Sequence, residues 1–152
     1  MFSIISNVAL AYDLTFERYI QLTRFDITAA NPNLAINDSF VDLRAPFILQ
    51  PPASCSKTDT KGVVMVHGLL DFPYRYHDLG PVMQQSCYLV YSILLPGHGT
   101  KASDLIDIKY QQWQQEVKFA VDHMIKNVGT VYLAGYSLGG LLVTDYLISH
   151  PK

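Results

Sequence analysis

Val131-Tyr-Leu-Ala-Gly135-Tyr-Ser137-Leu-Gly139-Gly-Leu-Leu-Val143 joins two apolar runs of different character. Val131 to Ala134 is short and β-type, whereas Leu141 to Leu147 carries apolar residues at helical spacing. Between them stands Gly135-Tyr136-Ser137-Leu138-Gly139, the pattern G-x-S-x-G. Strand, sharp turn and helix with a serine at the apex is the arrangement of a nucleophile elbow. The glycines answer a demand for space, because side chains at Gly135 and Gly139 would collide with the neighbouring strand and helix. Such a turn holds the Ser137 hydroxyl clear of the sheet. The first amides of the helix point the same way, so the Leu138 N–H is placed to bind a developing oxyanion. G-x-S-x-G alone is weak, since turns collect both glycine and serine. Its place between strand and helix, and a second signature upstream, give it weight.

That signature begins where the texture of the chain changes, at Gly62. Val63 to Val66 is a continuous apolar, β-branched run, as expected of a strand buried on both faces of a parallel sheet. It ends in His67-Gly68-Leu69-Leu70. A helix is predicted over Asp78 to Gln85, and a second strand over Tyr88 to Leu95, ending in Pro96-Gly97-His98-Gly99-Thr100. Tyr110 to Lys126 reads as a helix with Trp113, Val117, Ala120, Val121, Met124 and Ile125 on its apolar face. Gln112, Gln115, Glu116 and Lys126 fall on its polar face. Thr130 to Tyr136 is the third strand, and Leu138 to Ser149 the last helix. Strands alternating with helices imply βαβ units and a parallel sheet with right-handed crossovers.

Residues 1–61 read as a helix and loop extension to a domain at 62–152. Met1 to Phe25 has near-helical apolar spacing through Ile4, Val8, Leu14, Tyr19 and Leu22. Phe2 to Ala11 also admits a signal-peptide reading, with Ala9-Leu10-Ala11 as the cleavage site, although a positive leading region is absent. Asp26 to Asp42 and Gln50 to Asp59 read as loops, and Phe47 to Leu49 as a short strand.

Composition narrows the function. With 49% hydrophobic and 16% charged residues, the chain is globular rather than disordered. A net charge of −2 with no basic run argues against a nucleic-acid partner. No apolar run reaches the length of a transmembrane helix. Cys55 and Cys87, the two cysteines, make neither a disulfide framework nor a metal site and are expected as free thiols. No motif calls for a cofactor or a metal. The expected location is cytoplasmic, with secretion or a periplasmic home not excluded by sequence.

From Gly62 onward the chain resembles the α/β-hydrolase fold, within it the esterase, monoacylglycerol-lipase and serine-aminopeptidase-like group. Val63-Val-Met-Val-His67-Gly68-Leu69, Leu95-Pro96-Gly97-His98-Gly99-Thr100 and Gly135-Tyr136-Ser137-Leu138-Gly139-Gly140 match its motifs in order. The resemblance implies Ser137 as nucleophile and the N–H groups of Leu69 and Leu138 as the oxyanion hole. It implies that His67 and Gly68 shape the turn that aims the Leu69 amide, and that His98 pins a loop rather than acting as a base. It implies a small-molecule ester or lipid substrate. Leu70 to Tyr76 follows the oxyanion turn, where its aromatics would either line an acyl pocket or simply fill space.

A serine hydroxyl needs a base, and the base an orienting acid. In this fold they follow the serine as Asp or Glu and then His. Downstream of Ser137 stand one carboxylate, Asp145, and one histidine, His150. Both lie on the helix that starts at the serine, ~12 Å and ~20 Å along its axis, out of hydrogen-bonding reach. The expectation is therefore the N-terminal part of a hydrolase: a truncated sheet with helices on both faces, inactive alone. Its open edge would meet a missing C-terminal half or a second copy. A non-catalytic binding or dimerising protein is the alternative, and the elbow does not separate esterase from peptidase, thioesterase or lactonase.

Overall fold

The computed structural model describes residues 14–34, 38–56 and 58–151. The expected start of the first helix at Met1 and the signal-peptide reading of Phe2 to Ala11 lie outside the described residues. The strands are β1 (Phe47–Leu49), β2 (Lys61–Val66), β3 (Tyr88–Ile93) and β4 (Thr130–Gly135). They form one sheet in the order β1-β3-β2-β4. β3 and β4 both run parallel to β2, with Lys61 opposite Tyr88 on one side and Thr130 on the other.

β1 departs from an all-parallel sheet. It pairs antiparallel to β3, with Phe47 opposite Ser92. Its end and the start of β2 therefore lie at the same end of the sheet, so the connection over residues 50–60 needs no crossover helix.

β2 is the centre because it is apolar at every inward position. Val64 and Val66 face one core and Val63 and Met65 the other, all within 2% of full burial. The first core is closed by α1 (Phe16–Ala30), α4 (Tyr110–Met124) and α5 (Leu138–Ser149). The second is closed by a 3₁₀ turn (Pro73–Tyr76) and α3 (Leu79–Gln85) with Phe47 and Leu49 of β1. The chain leaves β2 through α3 to β3 on one side, then returns through α4 to β4 on the other. The two neighbours of β2 thus diverge at its C-terminal end, where parallel α/β sheets place their ligands.

The segment before residue 62 is built into this core. Thr15 caps α1 by accepting from the Arg18 N–H at 3.2 Å, and Phe16 stacks on Tyr91 with ring centroids 3.8 Å apart. The loop expected over Asp26 to Asp42 is instead the last turn of α1 and a short α2 (Asp38–Asp42). Sparse apolar anchors explain the difference: Ile27 and Val41 are buried together against Ala45 and Leu94. Asn31 marks where the helix stops, its side-chain amide donating to the Ile27 carbonyl at 2.9 Å.

Two further expectations are corrected. Cys55 and Cys87 are not free thiols; they form a disulfide with Cα atoms 5.6 Å apart. Because Lys61 pairs with Tyr88, the approach to β2 and the turn before β3 share one end of the sheet, a proximity that spacing in sequence does not reveal. Glu116, placed on the polar face of α4, is 1% exposed. It turns inward because α1 covers that flank of the helix, bringing Tyr19 against it.

β4 and α5 are the thin side. β4 has no fully buried residue, whereas β2 and β3 each bury a run of five. Tyr132 on β4 and Leu141, Leu147 and Ile148 on α5 are exposed. Among the described residues no strand pairs with the outer edge of β4.

Candidate active site

β4 ends at Gly135 and α5 begins at Leu138, so the chain reverses through Tyr136 and Ser137. Ser137 has φ 52° and ψ −116°, a backbone that L-residues seldom adopt. The turn is tight enough to require its glycines. A Cβ on Gly135 would lie 2.3 Å from the Gly139 carbonyl oxygen, and one on Gly139 2.0 Å from that of Val66. The first glycine lets α5 fold back on its own strand; the second seats α5 on β2. Tyr136 N–H bonds the Val66 carbonyl at 3.1 Å, so the elbow is tied to the end of β2.

His67 and Gly68 continue from that end. A Cβ on Gly68 would stand 3.4 Å from Cβ of Ser137 and 3.1 Å from the Tyr136 ring. The turn carrying Leu69 therefore lies directly against the serine. His67 is fully buried and its tautomer follows from its partners. Nε2 accepts the Leu95 N–H at 3.0 Å, which leaves Nδ1 to donate to the Gly68 carbonyl at 2.8 Å. Burial lowers its pKa to about 4, so the ring is neutral and holds the turn in shape.

His98 acts from the other side. Its Nε2 accepts the Leu70 N–H at 3.2 Å, and Nδ1 faces the Leu95 and Pro96 carbonyls, each at 3.2 Å. Burial lowers its pKa as well. Trp113 Nε1–H donates to the same Pro96 carbonyl at 3.0 Å. His98 thus pins the Pro96–Gly99 loop to the turn at Leu70, and Trp113 is a packing and anchoring residue.

The exposed Ser137 hydroxyl and the Leu69 and Leu138 N–H groups make no hydrogen bond to other described residues. One hydroxyl and two unspent N–H donors therefore share the C-terminal edge of β2 and β4. Sequence reasoning missed a brace over them. Asp71 is ion-paired with Arg75, whose guanidinium lies 4.0 Å over the Tyr136 ring. Tyr76 donates to the Val66 carbonyl at 2.8 Å. The i, i+4 spacing of Asp71 and Arg75 was the available signal. The aromatics of this loop divide: Tyr76 is buried and Tyr74 exposed.

Among the described residues no histidine or carboxylate is hydrogen-bonded to Ser137. Asp145 accepts from the Gln114 amide at 2.7 Å, and His150 Nδ1 bonds the Tyr146 carbonyl at 3.0 Å. His123 bonds the Phe119 carbonyl, and His77 sits edge-on to Phe47. A cavity of about 490 Å³ lies at the opposite pole among Thr15, Lys61, Leu89 and Lys126. It is remote from this chemistry. Among the described residues no group of three His, Cys, Asp or Glu side chains could hold a metal ion.

Residues 58–152 match the sequence model of a family described as serine aminopeptidase, S33. A thermostable monoacylglycerol lipase of Bacillus sp. (strain H-257) is 30% identical over 89 residues, covering 59% of this chain and 35% of the lipase. One of two metagenome-derived lipolytic enzymes, described as LipS and LipT, superposes with a TM-score of 0.62 at 22% identity over 70% of this chain and 40% of its own. Est1E of Butyrivibrio proteoclasticus, solved with ferulic acid, gives 0.57 at 19% identity, over 68% of this chain and 43% of its own. The chain spans well under half the length of each. With the family matched over more than half of its residues and the fold shared with lipolytic enzymes, the chain belongs to the serine aminopeptidase S33 family of α/β hydrolases.

Proposed function

We propose that this chain carries the nucleophile and the oxyanion hole of a serine hydrolase acting on carboxylic esters, acylglycerols or short acyl esters among them. The observation that carries the reading is Ser137 at φ 52° between β4 and α5, with the unspent N–H groups of Leu138 and Leu69 beside it. Ser137 Oγ attacks the ester carbonyl carbon and its proton passes to a base. The carbonyl oxygen takes the negative charge and receives hydrogen bonds from Leu69 and Leu138 N–H, each contributing ~3 kcal/mol at the transition state. The C–O bond breaks, the alcohol leaves with a proton, and water hydrolyses the acyl-enzyme. His67, Gly68, Gly135 and Gly139 shape the two turns. The monoacylglycerol lipase relative supports the ester class.

The base and its acid come from polypeptide beyond these 152 residues, because every histidine here is engaged elsewhere or remote from Ser137. Alone, the chain retains no more than ~10³-fold acceleration over water. The bare edge of β4 and the exposed Leu141, Leu147 and Ile148 favour a second reading, in which two copies associate there. The Cys55–Cys87 bond supports folding in an oxidising compartment, in place of the cytoplasmic expectation.

Hydrolysis of p-nitrophenyl butyrate tests the reading. The chain should turn over slowly, and imidazole, a diffusible base, should raise a rate that Ser137→Ala lacks. An imidazole response identical in the two proteins overturns the assignment.

A further inference from the structure

The turn that carries the Leu69 amide is held against the preference of its own residues. The Asp71 N–H donates to the Gly68 carbonyl at 3.3 Å, closing a four-residue turn with Leu69 and Leu70 at its centre. Of those two, Leu70 alone has a positive φ, 58°. This is the type II form, whose third position ordinarily takes glycine or asparagine because a larger side chain is strained there. The Leu70 side chain is 71% exposed, so it buries little against the protein to offset that strain. A strained turn persists where its surroundings over-determine it. Two of the holds are the histidines: His67 Nδ1 donates to the Gly68 carbonyl at 2.8 Å, and His98 Nε2 accepts the Leu70 N–H at 3.2 Å.

A third hold comes from the solvent side and reaches the elbow. Asp71 Oδ1 accepts the Phe72 N–H at 2.9 Å, and Oδ2 is ion-paired with Arg75. The Arg75 guanidinium lies 4.0 Å over the ring of Tyr136, the residue before Ser137. The next residue, Tyr76, donates to the Val66 carbonyl at 2.8 Å, and that carbonyl also receives the Tyr136 N–H at 3.1 Å. Consecutive side chains of the 3₁₀ turn therefore grip the elbow twice, Tyr76 through the buried end of β2 and Arg75 through the exposed Tyr136 ring. The Arg75 link is poorly suited to holding the fold together. The side chains of Arg75 and Asp71 are 40% and 22% exposed, and ion pairs open to solvent add little to stability. Its two ends are nevertheless the two turns that supply the N–H donors, Leu69 from one and Leu138 from the other. An oxyanion hole works only if its donors are fixed relative to each other. A planar guanidinium bonded at one side and stacked on a ring fixes direction as well as distance.

We propose that Arg75 is a positioning residue: through Asp71 and Tyr136 it couples the strained Leu69–Leu70 turn to the elbow and so sets the Leu69 amide against that of Leu138. The catalytic meaning of this coupling rests on the serine-hydrolase reading above. The mechanical link between the two turns does not, and it can be read without catalysis.

The experiment is amide hydrogen exchange of the ¹⁵N-labelled chain by NMR, with Arg75→Met, which keeps a long side chain and loses the charge, and Arg75→Lys, which restores a cation. The amides to follow are those of Leu70 and Asp71, both bonded within the turn, with Val64 of the core as reference. Arg75→Met should speed exchange at Leu70 and Asp71 by about tenfold, leave Val64 and the melting temperature as in the parent, and be largely rescued in Arg75→Lys. Tyr136→Leu should act in the same way, and the double variant should be no worse than either alone. Unchanged exchange at Leu70 and Asp71 in Arg75→Met overturns the proposal. So does exchange that rises equally at Val64, which would make Arg75 a residue of general stability. Fluorophosphonate labelling in the presence of imidazole reads the catalytic consequence: Ser137 should react about tenfold more slowly in Arg75→Met. Equal labelling in parent and Arg75→Met overturns the positioning role. No Ser137 labelling in the parent speaks against the nucleophile assignment, while the exchange result still decides the coupling of the two turns.

Discussion

Glu116→Gln should change how stability depends on pH, by an amount that follows from the burial of one carboxyl. Burial raises the Glu116 pKa from 4.5 to about 7, partly offset by its bond with Tyr19. The folded protein therefore holds a proton that the unfolded chain releases above 4.5. The stability this contributes is fully present below 4.5 and is lost as the pH rises through about 7. At ~1.4 kcal/mol per pH unit, the loss is ~3 kcal/mol. His67 acts in the opposite sense. Its pKa is lowered from 6.5 to about 4 by burial, so its contribution is present above 6.5 and is lost as the pH falls through about 4, again by ~3 kcal/mol. His98 adds to it, since burial lowers it as well. In the parent protein the opposed slopes largely cancel between pH 4.5 and 6.5, and the difference between parent and variant isolates the carboxyl. Urea unfolding across pH 4.5 to 8, followed by circular dichroism, should show Glu116→Gln gaining ~3 kcal/mol on the parent as the pH rises. In the variant alone, stability should fall on acidification below 6.5. A parent-to-variant difference that is constant across this range refutes the burial of an uncompensated carboxyl between α1 and α4.

Gly139→Ala would place a Cβ 2.0 Å from the Val66 carbonyl oxygen, so α5 must leave β2, and thermal melting should show a loss above ~3 kcal/mol or no folded state. Gly68→Ala meets its nearest atom at 3.1 Å, the edge of the Tyr136 ring, and should cost only ~1 kcal/mol. Reduction of Cys55–Cys87, or Cys87→Ser, frees a loop of sequence separation 32. The unfolding free energy should drop by ~3–4 kcal/mol, read as a lower melting temperature in dithiothreitol that the Cys87→Ser variant no longer shows.

What the sequence made legible was local. The strand–turn–helix around Ser137 could be read because strand, glycine, serine and helix are consecutive, although only Gly135 answers a clash a few residues away; Gly139 answers one with Val66 on β2. The same holds for Val63–Val66, whose unbroken apolar run announces burial on both faces. His67 and His98 each sit in a turn motif that is visible in the sequence, and each bonds the backbone of those turns. The rest depends on partners distant in the chain. Cys55 meets Cys87 only once β2 and β3 are in register. Glu116 looks like the polar face of α4 until α1 lies over it, and α1 reaches its place through Phe16 and Tyr19. Asp26 to Asp42 has the composition of a loop, yet Ile27 and Val41 are enough to fold most of it onto Leu94. In the brace, Asp71 and Arg75 are a legible i, i+4 pair, but Tyr136, under the Arg75 guanidinium, belongs to a second loop that no local pattern connects to them.

The central claim is that Ser137 stands in a preformed elbow that lacks only its base. Mass spectrometry of the chain after exposure to a fluorophosphonate, with and without imidazole, tests it most directly. The account predicts slow modification confined to Ser137, faster with imidazole, absent in Ser137→Ala and lost when the chain is heat-denatured. Modification that is equal in folded and denatured chains, or spread over other serines, would contradict the elbow. Rapid modification of Ser137 without imidazole would contradict the missing base.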